Sequence, residues 1–163
     1  MAKSRFISMA AVLTSRNIFF QLRLRLVNCY IYSVLLYGSE TWTLNKNLES
    51  RIEAFEMWIF RRMGKISWTE KKTNKDVCML LKVSPSLLNN IKRKKLKYFG
   101  HIKRHDTICR EILEGKIEGR RARGRQRRTW LDDIRDWTKL SVTECAGRAR
   151  DRKEWRVISS RPR

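Results

Sequence analysis

The sequence predicts an all-α protein, and three observations carry that prediction. Apolar residues recur at steps of three and four through most of the chain, the spacing that lines one face of an α-helix. Few segments alternate with period two, so strands have little support. Seven Gly and two Pro in 163 residues are too few turn-formers for a β-sandwich. About six helices account for the pattern, with no internal repeat.

The first stripe is Leu22, Leu26, Tyr30, Val34 and Tyr37, with Gly38 as a stop. The run from Ile18 to Tyr37 is apolar enough to raise a membrane span, but Arg23 and Arg25 lie inside it. Each would cost about 2.5–3.5 kcal/mol at the centre of a spanning helix. A buried helix is the better reading. Leu48, Ile52, Phe55, Ile59 and Met63 form the second stripe, with Asn45 as cap and Gly64 as stop. Thr73 and Asp76 make a capping-box pattern ahead of Val77, Leu80 and Leu81. Ser84-Pro85 places a cap residue before a proline at a first helical position, opening a long helix that runs past Ile102 despite Gly100. Thr129 with Asp132, and Ser141 with Glu144, repeat the capping box; Trp130, Ile134 and Trp137 share a face after the first of these. Between the helical segments lies GKIEGRRARGRQRRT (115–129), which has no apolar stripe. The expected organisation is a helical domain over 1–114, a basic Arg/Gly loop over 115–128 and a helical hairpin over 129–163.

Charge points to the partner. Lys and Arg total 38 against 16 Asp and Glu, a formal net charge of +22. Residues 92–128 carry fifteen basic and four acidic side chains, a net +11 and half of the excess. Such a field repels itself unless it meets a polyanion, which puts nucleic acid first and an anionic membrane second, ahead of an acidic small molecule. Two clusters are the candidate phosphate contacts. Lys92, Arg93, Lys94, Lys95 and Lys97, then Lys103 and Arg104, fall on a helix with no acidic residue between Asp76 and Asp106. Arg120, Arg121, Arg123, Arg125, Arg127 and Arg128 fall in the loop, where guanidinium groups suit bidentate phosphate contact. RNA or DNA, bound mainly through phosphates, is therefore the expected partner, with a solvated helix face and a nuclear-localisation patch as the plainer readings.

Other chemistry has little footing. Cys29, Cys78, Cys109 and Cys145 form no CxxC pair, so free and mostly buried thiols are expected. His101, His105 and Cys109 stand at i, i+4 and i+8, a spacing that is not one of the established zinc patterns. Asp132 and Asp133 are adjacent and splay by about 100° on a helix, so a cap role is preferred to a metal role. No cofactor, metal or catalytic residue is expected. Of the six tryptophans, most are expected in the core. The first 39 residues hold five basic and no acidic residues, as transit peptides do, but the folded-helix reading is preferred and a nuclear or cytoplasmic setting is expected.

Five blocks carry a resemblance: SVLLYGSETWTL (33–44), IEAFEMWIFRRM (52–63), ISWTEKKTNKDV (66–77), KLKYFGHIKR (95–104) and EGKIEGRRARGRQRRTWLDDI (114–134). Together they resemble the C-terminal part of the endonuclease–reverse transcriptase of non-LTR (LINE-type) retrotransposons, from about Arg16 to about Trp155. The resemblance implies a thumb-like helical bundle and the basic region after it, which grip the template–primer duplex or target DNA, with the palm of the polymerase as a protein partner. It also implies binding without polymerisation. The palm and its (F/Y)xDD aspartates are not in this chain, and Asp132-Asp133 follows Trp-Leu instead. The first rival expectation is an intact nuclease or polymerase, against which the missing carboxylate constellation argues. The second is a protein-interaction module, whose mark would be an exposed apolar patch around residues 18–37, or a degenerate fragment with no independent activity.

Overall fold

The computed structural model describes residues 1–115, 124, 127–160 and 162. They form an all-α fold, with no strand among the described residues. The helices are α1 (Ala2–Ser8), α2 (Ala10–Leu13), α3 (Phe20–Val27), α4 (Ser33–Leu36), α5 (Lys46–Gly64), α6 (Asn74–Leu81), α7 (Leu87–Arg104), α8 (Ile108–Leu113), α9 (Trp130–Thr138), α10 (Val142–Arg150) and α11 (Arg152–Ser160). A π-turn, Asn28–Tyr32, joins α3 to α4. This exceeds the expected six among the described residues: α1 and α2 precede the first stripe, α3 and α4 divide it, α8 follows α7, and α11 is a third helix in the segment expected to be a hairpin. The chain divides into two compact units: Met1–Tyr37 with Lys46–Leu88, and Gly38–Asn45 with Asn89–Arg163. That division differs from the expected boundary near 114, because the second unit is built on the very helix that carries the first basic cluster.

In the first unit α3 turns the opposite face inward from the one the sequence suggests. Val27 and Ile31 are buried with Arg23, while Phe19, Leu22, Tyr30, Val34 and Tyr37 are exposed. Arg23 is the reason. Its Nε donates to the Ile18 carbonyl (3.0 Å), and its Nη1 donates to the carbonyls of Leu13 (3.0 Å) and Met63 (2.8 Å). These are carbonyls at or near the C-terminal ends of α2 and α5, which need donors and favour a cation. Seating that guanidinium turns the Leu22–Val34 row outward. Gly38 does stop the segment, at φ 66°.

The same unit holds an acid that the sequence gives no sign of. Glu56, buried on α5, accepts from the Ser86 amide (3.0 Å), the Leu87 amide (3.1 Å) and the Tyr32 hydroxyl (3.2 Å). The N-terminus of α7 is therefore capped from another helix, and α7 starts at Leu87 rather than at Pro85. Burial pushes the Glu56 carboxyl upward, and the two amide bonds oppose that shift. Gly64 ends α5, but the left-handed residue is Lys65 at φ 52°. A Cβ at position 64 would stand 3.0 Å from a Leu81 methyl, so that glycine makes room for α6.

Three predicted capping boxes form as read, at Thr73/Asp76, Thr129/Asp132 and Ser141/Glu144, and a fourth closes the turn Trp68–Glu70 from Ser67. Hydrogen bonds from the cap residues hold the carboxyls of Asp76, Asp132 and Glu144 below their ordinary range.

Among the described residues no helix is long and apolar enough to cross a membrane. Cys145 is buried, Cys78 and Cys109 are half-buried, and Cys29 is exposed, so the expectation of mostly buried thiols holds fully only for Cys145. All four are free.

Candidate nucleic-acid interface

The basic cluster of α7 divides into two sets. The apolar row of this helix is Ile91, Phe99 and Ile102, and position 95 lies on it, four residues from both Ile91 and Phe99. Lys95 is accordingly fully buried. Its Nζ pairs with Asp133 and donates to the Trp42 carbonyl at 2.7 Å, and it lies 4.7 Å from the centroid of Trp130 and 5.4 Å from that of Trp137. Burial pulls its pKa down and the Asp133 carboxylate opposes that pull. Lys103 is also buried, pairing with Glu114 at 3.3 Å over the Phe99 ring. Arg104 donates to the Ala149 carbonyl at 2.8 Å. These three were expected to meet phosphate; the structure gives them internal partners instead. Lys92 is half-buried beside Trp137, with its ammonium 5.4 Å from the ring centroid. Arg93, Lys94 and Lys97 are exposed, and Lys94 stands 3.9 Å from Glu40.

The second cluster gives less. Arg120, Arg121, Arg123 and Arg125 lie outside the described residues. Arg127 is exposed. Arg128 is exposed and also has internal partners: its Nε donates to Asp133 (2.8 Å) and its Nη2 to Asp136 (2.7 Å).

Asp133 is the centre of this arrangement. Asp132 caps α9 as expected, but Asp133 is fully buried and takes bonds from Lys95, Arg128 and the Leu44 amide (2.8 Å). The indole Nε1 of Trp130 donates to the Glu40 carbonyl at 2.8 Å. Residues 40, 42 and 44 are thus each held through their backbone, by Trp130, Lys95 and Asp133 in turn. The blocks SETWTL, KLKYFG and TWLDDI, which carry much of the resemblance, meet here. Their association builds a core and leaves no open carboxylate pair.

Gly100 has its own explanation. The Trp155 indole lies against the α7 backbone and donates from Nε1 to the Leu96 carbonyl at 2.8 Å. A Cβ at position 100 would overlap that ring. The rings of His101 and His105 stand 4.4 Å apart on the exposed side of α7. Cys109 instead lines a small apolar cavity with Tyr98 and Trp130, and Cys145 meets Thr138 Oγ1 at 3.2 Å. No metal-binding group of three or more His, Cys, Asp or Glu forms among the described residues. Of the tryptophans, Trp137 and Trp155 are buried, Trp42, Trp58 and Trp130 are half-buried, and Trp68 is exposed, against the expectation that most are core.

No protein-family model matches the chain, and no solved structure matches it. A Caenorhabditis elegans chain named as an uncharacterized transposon-derived protein is 28% identical over 156 residues, covering 86% of this chain. The match spans 55% of that relative, so this chain corresponds to about half of its length. The chain is therefore similar, along most of its length, to a protein derived from a transposon.

Proposed function

We propose that the chain is a nucleic-acid-binding piece of a non-LTR retrotransposon reverse transcriptase, gripping a template–primer or target DNA through phosphates and performing no polymerisation by itself. The observation that carries this reading is the outward set on α7: Arg93, Lys94 and Lys97 stand exposed on one rigid helix within a 29-residue stretch, 77–105, that holds no acid. Pre-oriented cations lose little entropy on meeting a polyanion. The likeness to a transposon-derived chain agrees with a mobile-element source. The expected result is binding to duplex DNA with little sequence preference and a log–log salt slope of about −0.9 for each phosphate neutralised. Changing Arg93, Lys94 and Lys97 together to Gln should make that slope shallower by about 2 to 3 on the same scale, with helicity kept because Gln is close to Lys and Arg in helix propensity. An unchanged slope in titrations at several salt concentrations would remove the reading. Primer extension with Mg²⁺ is expected to give no product.

One observation favours a second reading as a protein-docking module. Phe19, Leu22, Tyr30, Val34 and Tyr37 leave an apolar stripe exposed on the segment 19–37. In the retrotransposon setting its partner is the palm. Gel filtration of the chain with a palm polypeptide from such an enzyme should show a complex that Tyr30→Lys with Val34→Lys abolishes; separate elution of the unaltered chain and the palm would exclude it.

A further inference from the structure

Trp68 is 82% exposed, on a turn that the capping box from Ser67 holds in place. It borders a cleft of about 670 Å³ within the first unit, lined also by Trp58, Arg61, Arg62, Lys65 and Asn74, and no lining residue is acidic. That volume lies in the ordinary range for small-ligand sites, about 300–1,000 Å³. The cations are set against the rings. The Arg61 guanidinium lies 5.4 Å from the Trp68 centroid and is fixed by donation to the Lys72 carbonyl (2.7 Å) and to Asn74 Oδ1 (3.2 Å). The Arg62 guanidinium lies 5.0 Å from the Trp58 centroid. Arg62 and Lys65 are exposed. The nearby acid, Glu70, is engaged with Lys72 at 2.7 Å.

An indole left 82% exposed, with Arg61 over its ring and Arg62 and Lys65 lining the same cleft, offers a stacking surface and a phosphate seat in one place. Stacking on aromatic side chains and tracking of the backbone by positive charge is how single strands are held without sequence preference. We propose that this cleft takes one nucleotide of a single-stranded nucleic acid, with its base on Trp68 and its phosphate on Arg62 and Lys65. The inference rests on the nucleic-acid reading only for the class of ligand, since it uses none of the α7 residues. An acidic peptide would satisfy the cations but leave the indole without a planar partner.

The test is fluorescence anisotropy with labelled oligo(dT), an abasic oligomer of equal length, and polyglutamate, at one salt concentration. Trp68→Ala should weaken oligo(dT) binding about tenfold and leave abasic binding unchanged, and Trp68→Phe should recover most of the loss. Arg62→Gln with Lys65→Gln should weaken both oligomers. Trp68 is exposed, so its replacement leaves the fold intact, and circular dichroism checks this. An equal loss on oligo(dT) and the abasic oligomer, no loss on either, or polyglutamate binding as tightly as oligo(dT) would overturn the proposal. A Trp68 effect that persists when Arg93, Lys94 and Lys97 are Gln, together with an unchanged duplex salt slope in that variant, would sink the α7 reading while the cleft stands.

Discussion

Replacing Lys95 by Met is expected to destabilise the second unit by about 3 kcal/mol, because removing one partner of a buried ion pair strands the other charge. Asp133 would keep the Leu44 amide and Arg128 as donors but lose the ammonium and its link to the Trp42 carbonyl. Adding Asp133→Asn should recover part of the loss, since the amide oxygen still accepts from Leu44 and the stranded buried carboxylate charge is gone, while Arg128 gives up its Asp133 bond and keeps Asp136. Urea unfolding of both single variants and the double variant closes the cycle, with an expected coupling of about 1–3 kcal/mol. Additive losses would show that the pair is not the unit of stability. The same variants separate a core lysine from a phosphate contact. Under conditions where Lys95→Met is folded, its DNA salt slope should equal that of the parent chain, whereas a phosphate-binding lysine would subtract about 0.9.

Gly100→Ala is expected to be nearly as damaging, although Ala outranks Gly in a helix interior by about 1 kcal/mol. The new methyl would occupy space filled by the Trp155 indole, and displacing that ring breaks its bond to the Leu96 carbonyl. A net loss of about 2–3 kcal/mol is expected from such overpacking. Trp155→Ala alone should cost about 3–5 kcal/mol, as large aromatic truncations in a core do. Once the ring is gone the clash is gone, so Gly100→Ala in the Trp155→Ala background should be neutral or stabilising. Chemical denaturation followed by circular dichroism reads all three. A Gly100→Ala chain as stable as its parent would mean that Trp155 does not press on α7.

What the sequence shows and what it hides follow the range of the interactions. Capping boxes join residues three apart, and the boxes at Thr73, Thr129 and Ser141 are legible for that reason. Helical periodicity is equally local, and it locates the main helices. The facing of a helix is not local when a charge is buried. Counting Arg23 as polar turns α3 inside out, because nothing nearby shows that the carbonyls of Leu13 and Met63 await a donor. Counting Lys95 among surface charges fails likewise, since its acceptors are 53 residues back and 38 ahead. A helical wheel gave a usable signal: position 95 falls in the apolar row of Ile91 and Phe99, and Asp133 stands next to Ile134. The exposed Trp68 carried no distinguishing signal: most of the six tryptophans are expected in the core, and composition does not show which one stays outside.

The interleaved division of the chain sets an order on its folding. The second unit borrows residues 38–45 from the midst of the first, and the Leu44–Asp133 bond closes a span of 89 residues. Loop closure over that distance carries an entropic cost that only later contacts repay. Residues 46–88 lie inside the span and belong to the first unit, so their prior collapse shortens the free chain to be closed. The first unit should form early and the second late. A polypeptide starting at residue 89 would hold α9, α10 and α11 yet lack the borrowed segment, leaving Lys95 and Asp133 without their backbone partners and the C-terminal half unable to assemble alone.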